Sequence, residues 1–356
     1  MDKKEIPPKV VQTFREGTVI PVLPLVLSDA RRLDEERQRA LIRYYIDAGA
    51  GGIAVEAPAV ETRKSGAALH AALLTLTSET IDRWCERKGR QIFKVVGIAG
   101  RTKESTEEAE IAYRHGYHAC LVNLSGPPSS SESELLDHCR TIAGVMPLFG
   151  QSLGSSSAGR TLSPAFWRSF AEIDNVVGIV LAPHDRYQTL AVVRAVCEAG
   201  REKELSLYTG NDDNVLIDLL TSYKIPTESG VKQVRIVGGL LAQWGVWTSK
   251  AVDLLKHVHS IVRESRPLPL ELLSVAVELA DASSAILDAG HAFAGRSAGI
   301  KEVLARQGLL RGAASSDSAE ALSEGQAAEI DRVLRNYPHL NDNEFVGEGL
   351  SRWLAE

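Results

Sequence analysis

The sequence lacks any apolar run long enough to cross a bilayer, and it lacks a paired-cysteine motif. Its longest apolar stretches, such as Val176–Pro183, have the length of a strand, whereas a spanning helix needs about 20 apolar residues. The first residues, Met1–Pro8, carry charges of both signs and no apolar signal-peptide core. The four cysteines are scattered without a C-x-x-C pair, which is typical of free thiols in a reducing compartment. We therefore expect a cytoplasmic protein without a membrane partner.

An excess of positive charge is also missing. The chain has 40 basic and 46 acidic residues, a net charge of −6 and a pI near 5.9. Proteins that bind nucleic acids or anionic membranes usually carry a basic face, so we expect neither partner. The 356 residues are 44% hydrophobic, which suffices for a large core. One α/β barrel of roughly 250 residues would leave room for an added region.

Short apolar segments alternate with helical patterns from residue 17 to about residue 263. Aliphatic and β-branched segments without strict polar alternation are typical of parallel strands that are buried on both faces. Eight strands are predicted: Thr18–Leu23, Gly52–Glu56, Phe93–Gly97, Ala119–Asn123, Met146–Phe149, Val176–Leu181, Leu205–Tyr208 and Gln233–Val237. Eight strand–helix alternations predict an α/β protein with a closed parallel sheet, the TIM (β/α)8 barrel.

Capping residues mark the helices between these strands. The predicted helix starts are Asp34 before Glu35–Ala48, a capping box at Ser105–Glu108, Ser163 before Pro164, and Asn211 or Asp212 before a helix that runs through Leu220.

After residue 264 the strand pattern stops. Four helices are predicted there: Leu268–Ala280, Ala282–Phe293, Ser297–Leu309 and Ser323–Leu334. Residues 312–318 are typical of a loop, and the polar segment Asn336–Glu356 has apolar anchors such as Phe345 and Trp353. We expect residues 1–263 to form the barrel and residues 264–356 to form a C-terminal helical extension that packs on it.

Several landmarks resemble the dihydrodipicolinate synthase / N-acetylneuraminate lyase family. They occur in the family's order at Gly17–Leu25, Asp47–Val55, Val96–Ala109, Asn175–Ile179, Thr209–Asp213 and Gly299–Leu309. The resemblance covers roughly residues 15–335 and implies a TIM barrel, lyase chemistry and a homo-oligomer, either a dimer or a tetramer. It also implies a lysine that forms a Schiff base with a 2-keto acid, typically pyruvate.

The family's functional residues do not carry over. The Schiff-base lysine falls on Val180, which has no amine, and the proton-relaying tyrosine falls on Gln151, whose amide does not titrate. The G-T-T-G-E loop reads Ala57–Glu61, in which only Glu61 matches, and the tyrosine expected after strand four is missing from residues 126–130. We therefore do not expect Schiff-base chemistry at the usual position.

Lysines elsewhere are poor replacements. Lys94 and Lys232 are predicted at the opposite end of the barrel, and Lys103 on a loop at the correct face.

One segment is longer than the family pattern implies, between Glu61 and a helix start predicted near Ser78. We expect the extra residues, Thr62–Leu76, either to cover the pocket as a lid or to pack against a neighbouring subunit.

Polar residues follow most of the predicted strands at their carboxyl ends, where TIM-barrel chemistry takes place. They are Glu56, Glu61, Arg101, Lys103, Asn123, Gln151, Ser152, His184, Asp185, Asn211, Asp212 and Asp213. From these we predict a candidate pocket formed by Glu56, Asn123, Gln151, Val180, His184 and Asp212.

Each acidic or imidazole member of this pocket has an alternative role. Asp212 could cap a helix, Glu61 could support a turn, His184 could be a solvated surface residue, and Glu56 could form an ion pair outside the barrel. A divalent-metal site from Glu56, His184 and Asp212 is chemically possible, because carboxylate and imidazole suit Mg2+, Mn2+ or Zn2+. No other cofactor is expected.

Two functions remain open. The first is a lyase or aldolase-type enzyme that cleaves a carbon–carbon or carbon–oxygen bond in a small oxo- or hydroxy-acid without a Schiff base at Val180. The second is a catalytically silent binding or structural relative of the family. Either function implies a small-molecule ligand.

Overall fold

A computed structural model describes residues 1–28, 30–57, 63–124, 130–153, 160–312 and 321–355, with only the backbone described at 63–67. The strands in this part of the chain are Val19–Leu23 (β1), Gly52–Val55 (β2), Phe93–Ile98 (β3), Ala119–Asn123 (β4), Leu148–Leu153 (β5), Val176–Ala182 (β6), Ser206–Thr209 (β7), Ser222–Thr227 (β8) and Gly230–Leu241 (β9). The helices are Pro8–Glu16 (α1), Glu35–Ala48 (α2), Arg63–Lys88 (α3), Thr102–Arg114 (α4), Glu132–Ala143 (α5), Pro164–Ala171 (α6), Arg186–Glu198 (α7), Val215–Leu220 (α8), Thr248–Arg263 (α9), Glu271–Leu287 (α10), Arg296–Arg306 (α11), Gln326–Asn336 (α12) and Asn343–Leu354 (α13).

Strands β1 to β7 pair in parallel in chain order, β9 follows β7, and β9 closes the sheet by pairing with β1. The fold is therefore a TIM barrel with added C-terminal helices, as predicted. Strand β8 was not predicted; it forms an antiparallel hairpin with the first half of β9. The last barrel strand is consequently longer than the predicted Gln233–Val237. Among the described residues, no helix is long and apolar enough to cross a membrane.

Helix α1 closes the amino-terminal end of the barrel. Its Phe14 ring stacks on Phe93 at 4.4 Å and on Tyr208 at 4.9 Å between ring centroids. The Tyr208 hydroxyl donates a hydrogen bond to the Phe14 carbonyl at 2.7 Å. Phe149 and Val180 are fully buried in the same interior cluster. Aromatic side chains therefore fill the barrel interior at this end.

The predicted helix starts are confirmed at α2 and α6. The Asp34 carboxylate accepts from the Arg37 amide at 3.1 Å, and the Ser163 hydroxyl accepts from the Phe166 amide at 3.1 Å. The predicted capping box at Ser105 is wrong, because α4 begins three residues earlier, at Thr102. Ser105 is instead buried inside that helix.

The long segment after β2 is the first part of α3, which extends from Arg63 to Lys88 without a break. Leu73, Leu74 and Leu76 are buried in the core between the barrel and its helices. The Tyr117 hydroxyl donates to the Leu74 carbonyl at 3.2 Å. A lid is therefore the wrong interpretation for residues 73–76, because they belong to the helical layer. Glu61 lies outside the described residues.

The C-terminal helices pack on the barrel layer. Trp353 of α13 is fully buried, with its ring 5.5 Å from that of Tyr44 in α2, and its indole N–H donates to Asp47 at 3.0 Å. The two helices predicted as Leu268–Ala280 and Ala282–Phe293 are wrong. Residues 271–287 form one helix, α10, because no residue within it interrupts the hydrogen bonding before Asp288 adopts a left-handed conformation (φ 61°).

Candidate functional site

A cavity of about 690 Å³ opens at the carboxyl ends of the barrel strands. Residues on or directly after all eight barrel strands line it, together with residues between 287 and 296 of the C-terminal region. Five of the six predicted pocket residues are among them: Glu56, Asn123, Gln151, His184 and Asp212. Val180 does not line the cavity. It is fully buried in the interior cluster below it.

The strand register explains this placement. Asn123 of β4 lies opposite Gln151 of β5, Gln151 lies opposite Val180 of β6, and Val180 lies opposite Tyr208 of β7. Residues paired in neighbouring parallel strands point to the same face of the sheet. The two amide side chains therefore share the barrel interior with Val180, and they line the cavity above the aromatic cluster.

Asp212 is a partly buried carboxylic acid in the cavity wall. Burial raises its pKa from 3.8 to about 6, although its Oδ1 atom accepts from the Gln243 amide at 3.4 Å. The helix-cap alternative is wrong for this residue, since α8 begins at Val215 after the cap residue Asn214 and the Asp212 carboxylate accepts from the Gln243 amide instead. A carboxyl group with a pKa near 6 can exchange protons close to neutral pH.

His184 is held in a defined position. Its backbone is left-handed (φ 49°), and its amide donates to Asn211 Oδ1 at 2.9 Å. Its Nδ1 atom lies 2.9 Å from Asp213 Oδ1, and this contact raises the pKa of His184 and lowers that of Asp213. The imidazole also stacks against Phe293 at 6.5 Å between ring centroids. The alternative that His184 is a freely solvated surface residue is therefore wrong.

A fully buried carboxylate, Asp218 of α8, supports this loop from below. It accepts from Thr209 Oγ1 at 2.6 Å and from Asn211 Nδ2 at 2.9 Å, and it pairs with Arg186 at 2.7 Å. Asn211, which holds the His184 amide, is thus itself held in place. Sequence reasoning missed Asp218, although an acidic residue within the apolar segment Val215–Leu220 was a usable signal.

The C-terminal region contributes four further cavity residues: Leu287, Ala292, Phe293 and Arg296. Arg296, at the start of α11, places Nη2 at 2.6 Å from Glu56 Oε1. Both side chains are about half exposed, at 47% and 56%. Glu56 therefore does line the cavity, and its cationic partner comes from a residue 240 positions later in the chain.

Asp288, which is 4% exposed, holds the turn that positions Phe293 and Arg296 at the cavity. Its carboxylate accepts from the Gly295 amide at 2.8 Å and from Ser323 Oγ at 2.5 Å, and it lies 2.7 Å from His291 Nδ1. Asp288, Ala292 and Phe293 all have left-handed backbones. Such conformations cost free energy in non-glycine residues, so they persist only where surrounding contacts hold them.

Other residues considered from the sequence lie elsewhere. Lys103 is exposed on α4, not on a loop, and Arg101 is exposed just before that helix. Ser152 is buried without lining the cavity, and Asp185 caps α7 by accepting from the Tyr187 amide at 2.8 Å.

The lysines at the other end of the barrel have their own partners. Lys94 pairs with Asp82 at 2.9 Å, and Lys232 pairs with Glu202 at 2.8 Å. In the described part of the chain, no lysine side chain lines the cavity.

The three groups considered for a divalent cation are not gathered. Glu56 pairs with Arg296 and His184 pairs with Asp213. Within the described ranges, no three His, Cys, Asp or Glu side chains cluster in a way that could hold a metal ion.

Comparisons with known proteins agree with this architecture. The family model described as the dihydrodipicolinate synthetase family matches residues 17–223. Among solved structures, N-acetylneuraminate lyase from Fusobacterium nucleatum complexed with pyruvate is 15% identical, with a TM-score of 0.69 over 90% of this chain and 97% of that chain. YagE, a prophage protein of the dihydrodipicolinic acid synthase family from E. coli K12 in complex with pyruvate, is 19% identical, with a TM-score of 0.69 over 90% and 98% of the two chains.

A third similar structure is a dihydrodipicolinate synthase variant described as the first monomeric one. It is 18% identical, with a TM-score of 0.69 over 90% of this chain and 97% of that chain. A search of curated protein sequences finds no match to this chain. Structural similarities at these identities establish the shared fold.

Proposed function

Because this chain belongs to the dihydrodipicolinate synthetase family, we propose that it is an aldolase-type lyase that acts on a small oxo- or hydroxy-acid without a Schiff-base lysine. One observation carries this proposal. The cavity at the carboxyl ends of the strands combines a cation, a carboxyl group with a pKa of about 6, an imidazole and two amides in one place. These are the groups that binding and cleaving a small acid would require.

The proposed loss of the lysine rests on position and surroundings. Counting from Asn175, the family's lysine falls on Val180, which is fully buried among apolar and aromatic side chains. The short Val180 side chain lies below the cavity, in the same cluster as Tyr208 and Phe149. Two similar structures are described as pyruvate complexes, and pyruvate is therefore the first 2-oxo acid to test with this chain.

Arg296 is the proposed carboxylate-binding residue. A guanidinium forms two parallel hydrogen bonds with a carboxylate, which makes it a specific receptor for an acid. Glu56 pairs with this cation at 2.6 Å. The carboxylate of a substrate would take the place of Glu56. This exchange costs little because both side chains are half exposed, and exposed ion pairs contribute only about 0–1 kcal/mol.

Asp212 is the proposed general base. In a retro-aldol cleavage its carboxylate takes the proton from the hydroxyl group of the substrate, and that C–O bond becomes a carbonyl as the adjacent C–C bond breaks. The electron pair of the broken bond passes into the oxo-acid fragment as an enolate. Amide N–H groups of Asn123 and Gln151 stabilise the enolate oxygen, and protonated His184, supported by Asp213, returns a proton to carbon.

A second candidate function is ligand binding without turnover. The fully buried Val180 favours it, because this apolar residue removes the family's covalent step while the cavity stays open and polar. A silent relative would bind an oxo-acid at Arg296 and release it unchanged.

Two measurements test the proposal. Incubation with pyruvate and borohydride should leave the protein's mass unchanged, and a stable adduct would show that a lysine reacts after all. A panel of 4-hydroxy-2-oxo acids should then release a 2-oxo acid, detected by NADH-coupled reduction. Asp212→Asn should lower that rate by at least about 100-fold, the usual contribution of general acid–base catalysis. Asp137→Asn, on the exposed face of α5, is the matched control. Binding without release of product would instead support the silent relative.

We further propose a cytoplasmic homo-oligomer, a dimer or a tetramer, without a resident metal. All four cysteines are free and buried, which suits a reducing compartment.

Leu270, Leu273 and Val277 are exposed at 73%, 42% and 69% along one side of the α10 region, which a second copy of the chain would cover. Light scattering should give a multiple of the 38.6 kDa chain mass. A monomer at micromolar concentration would contradict this part of the proposal. One similar structure is described as a monomeric variant of dihydrodipicolinate synthase.

A further inference from the structure

The turn between α10 and α11, residues 288–295, crosses the mouth of the barrel cavity. The eight barrel strands close in the order β1 to β7 followed by β9, so β2 and β6 lie on opposite sides of the barrel. Arg296, directly after the turn, pairs at 2.6 Å with Glu56, which follows β2. Phe293, within the turn, has its ring 6.5 Å from that of His184, which follows β6. The turn therefore reaches both sides of the cavity.

Phe293 is an aromatic residue that is held at the cavity and not packed in the core. It is 42% exposed and lines the cavity. Its backbone and that of Ala292 are left-handed, with φ of 67° and 53°. The Phe293 amide donates to the Asp288 carbonyl at 2.9 Å, which helps to hold the ring in place before a ligand binds. Strained backbone conformations of this kind occur preferentially at functional sites.

The apolar part of the cavity lining extends beyond Phe293. Leu240 and Ala242, at the end of β9 and directly after it, also line the cavity. Leu287 and Ala292, from the end of α10 and the turn, line it as well. These five side chains offer no hydrogen-bonding atom, so a ligand group that contacts them gains free energy by burial of apolar surface.

The cavity is larger than a three-carbon acid requires. Its volume of about 690 Å³ lies in the range of ~300–1,000 Å³ that is typical of sites for drug-sized ligands. A substrate whose carboxylate binds Arg296 begins at the β2 side of the mouth. The proposed base, Asp212, follows β7, which is the neighbour of β6. A substrate that extends from Arg296 to Asp212 thus brings the substituent on its hydroxyl-bearing carbon toward Phe293.

We infer that the substrate carries an apolar group of about the size of a phenyl ring on its hydroxyl-bearing carbon, and that Phe293 determines this specificity, an inference that rests on the proposed function of the same cavity. An aromatic group there would pack against the Phe293 ring in an offset or edge-on arrangement.

The corresponding substrate is 4-hydroxy-2-oxo-4-phenylbutanoate, which is cleaved between carbons 3 and 4. Asp212 takes the hydroxyl proton, and carbon 4 becomes the aldehyde carbon of benzaldehyde. The electron pair of the broken bond stays with carbon 3, which receives a proton from His184 to give pyruvate.

Calorimetric titration with two acids that cannot be cleaved tests the inference without requiring turnover. They are 2-oxo-4-phenylbutanoate, which lacks the hydroxyl group of the substrate, and 2-oxobutanoate, which lacks the phenyl ring as well. The phenyl acid should bind at least about tenfold more tightly, because burial of its ring adds apolar contact. The acid 2-oxoglutarate, with a carboxylate in place of the ring, should bind no more tightly than 2-oxobutanoate.

Replacement of Phe293 assigns this preference to one side chain. Phe293→Ala should weaken the binding of 2-oxo-4-phenylbutanoate about tenfold and leave that of 2-oxobutanoate unchanged, because only the phenyl acid reaches the ring. Phe293→Leu, which keeps an apolar side chain, should lose less. Tyr113→Ala is the matched control, since this aromatic residue of α4 is similarly exposed at 47% and does not line the cavity.

Equal affinity for the two acids, or an equal loss for both in Phe293→Ala, would overturn the inference while leaving the proposed function intact. Binding of neither acid would overturn the inference together with the proposed carboxylate site at Arg296. A preference for the phenyl acid that depends on Phe293, without cleavage of 4-hydroxy-2-oxo-4-phenylbutanoate, would support the inference and contradict only the lyase activity.

Discussion

Replacing Asp212 by asparagine should make the protein more stable at neutral pH while removing its proposed function. Asp212 is a partly buried acid whose pKa rises from 3.8 to about 6 on folding. A group whose pKa is raised in the folded state favours folding most when it is protonated, and this contribution is lost as the pH rises through the folded pKa. The ionised carboxylate of Asp212 is therefore destabilising at neutral pH. Asparagine keeps the shape and removes the charge.

The size of the gain follows from the pKa difference. A shift from 3.8 to about 6 corresponds to roughly 3 kcal/mol at most, at 1.36 kcal/mol for each pKa unit. Because solvent reaches part of Asp212, we expect about 1–2 kcal/mol. The unfolding entropy is about 2.1 cal/mol/K per residue, and the chain has 356 residues. Dividing the gain in unfolding free energy by the total unfolding entropy gives a rise of roughly 2 °C in melting temperature.

Differential scanning calorimetry from pH 4 to pH 8 is the appropriate assay. The gain in melting temperature for Asp212→Asn should be largest above pH 6. It should shrink toward pH 4, where the Asp212 carboxyl of the original protein is protonated and therefore as uncharged as the asparagine. Asp213→Asn is the matched control, because it removes the same charge one residue away. The pKa of Asp213 is lowered by His184, so this variant should not gain stability at neutral pH. An unchanged or lower melting temperature for Asp212→Asn, or a gain that does not depend on pH, would refute the reasoning.

Three other predictions follow from the same site. Arg296→Gln should weaken the binding of oxo-acids about tenfold while changing the free energy of unfolding by less than about 1 kcal/mol, measured by calorimetry and urea unfolding, because its pair with Glu56 is half exposed; a large loss of stability with unchanged binding would contradict this. Asp288→Ala should destabilise the protein by about 3 kcal/mol in the same urea assay, since it removes several hydrogen bonds from a buried carboxylate at a left-handed residue, and a cost below 1 kcal/mol would show that the turn is held by other contacts. Val180→Lys should create a pyruvate adduct that borohydride traps and mass spectrometry detects, provided that the variant folds by circular dichroism; a folded variant without an adduct would show that Val180 does not occupy the position of the family's lysine.

Sequence patterns predicted the barrel because its strands and helices are encoded locally. Aliphatic segments of strand length and capping residues such as Asp34 and Ser163 depend on neighbours within a few positions, and the structure confirms them. The rule that TIM-barrel sites lie at the carboxyl ends of strands was then enough to gather Asn123, Gln151 and Asp212 into one pocket.

Errors arose where local signals were ambiguous. Ser105 and Glu108 have the spacing of a capping box, yet the helix starts earlier, at Thr102, because Arg101 and Glu104 provide the same spacing one turn before. The hairpin strand Ser222–Thr227 was missed because pairing with β9, and not its own composition, makes it a strand.

What the sequence by itself determined is the barrel, the order of its strands and the set of polar residues available at their carboxyl ends. Only the tertiary structure decided which of them have partners: Glu56 with Arg296, His184 with Asp213 and Phe293, and the left-handed turn that Asp288 holds. These contacts join residues that are up to 240 positions apart. Periodicity and capping report only interactions within a few residues, so the packing of the C-terminal helices on the barrel had to form before Arg296 could belong to the site.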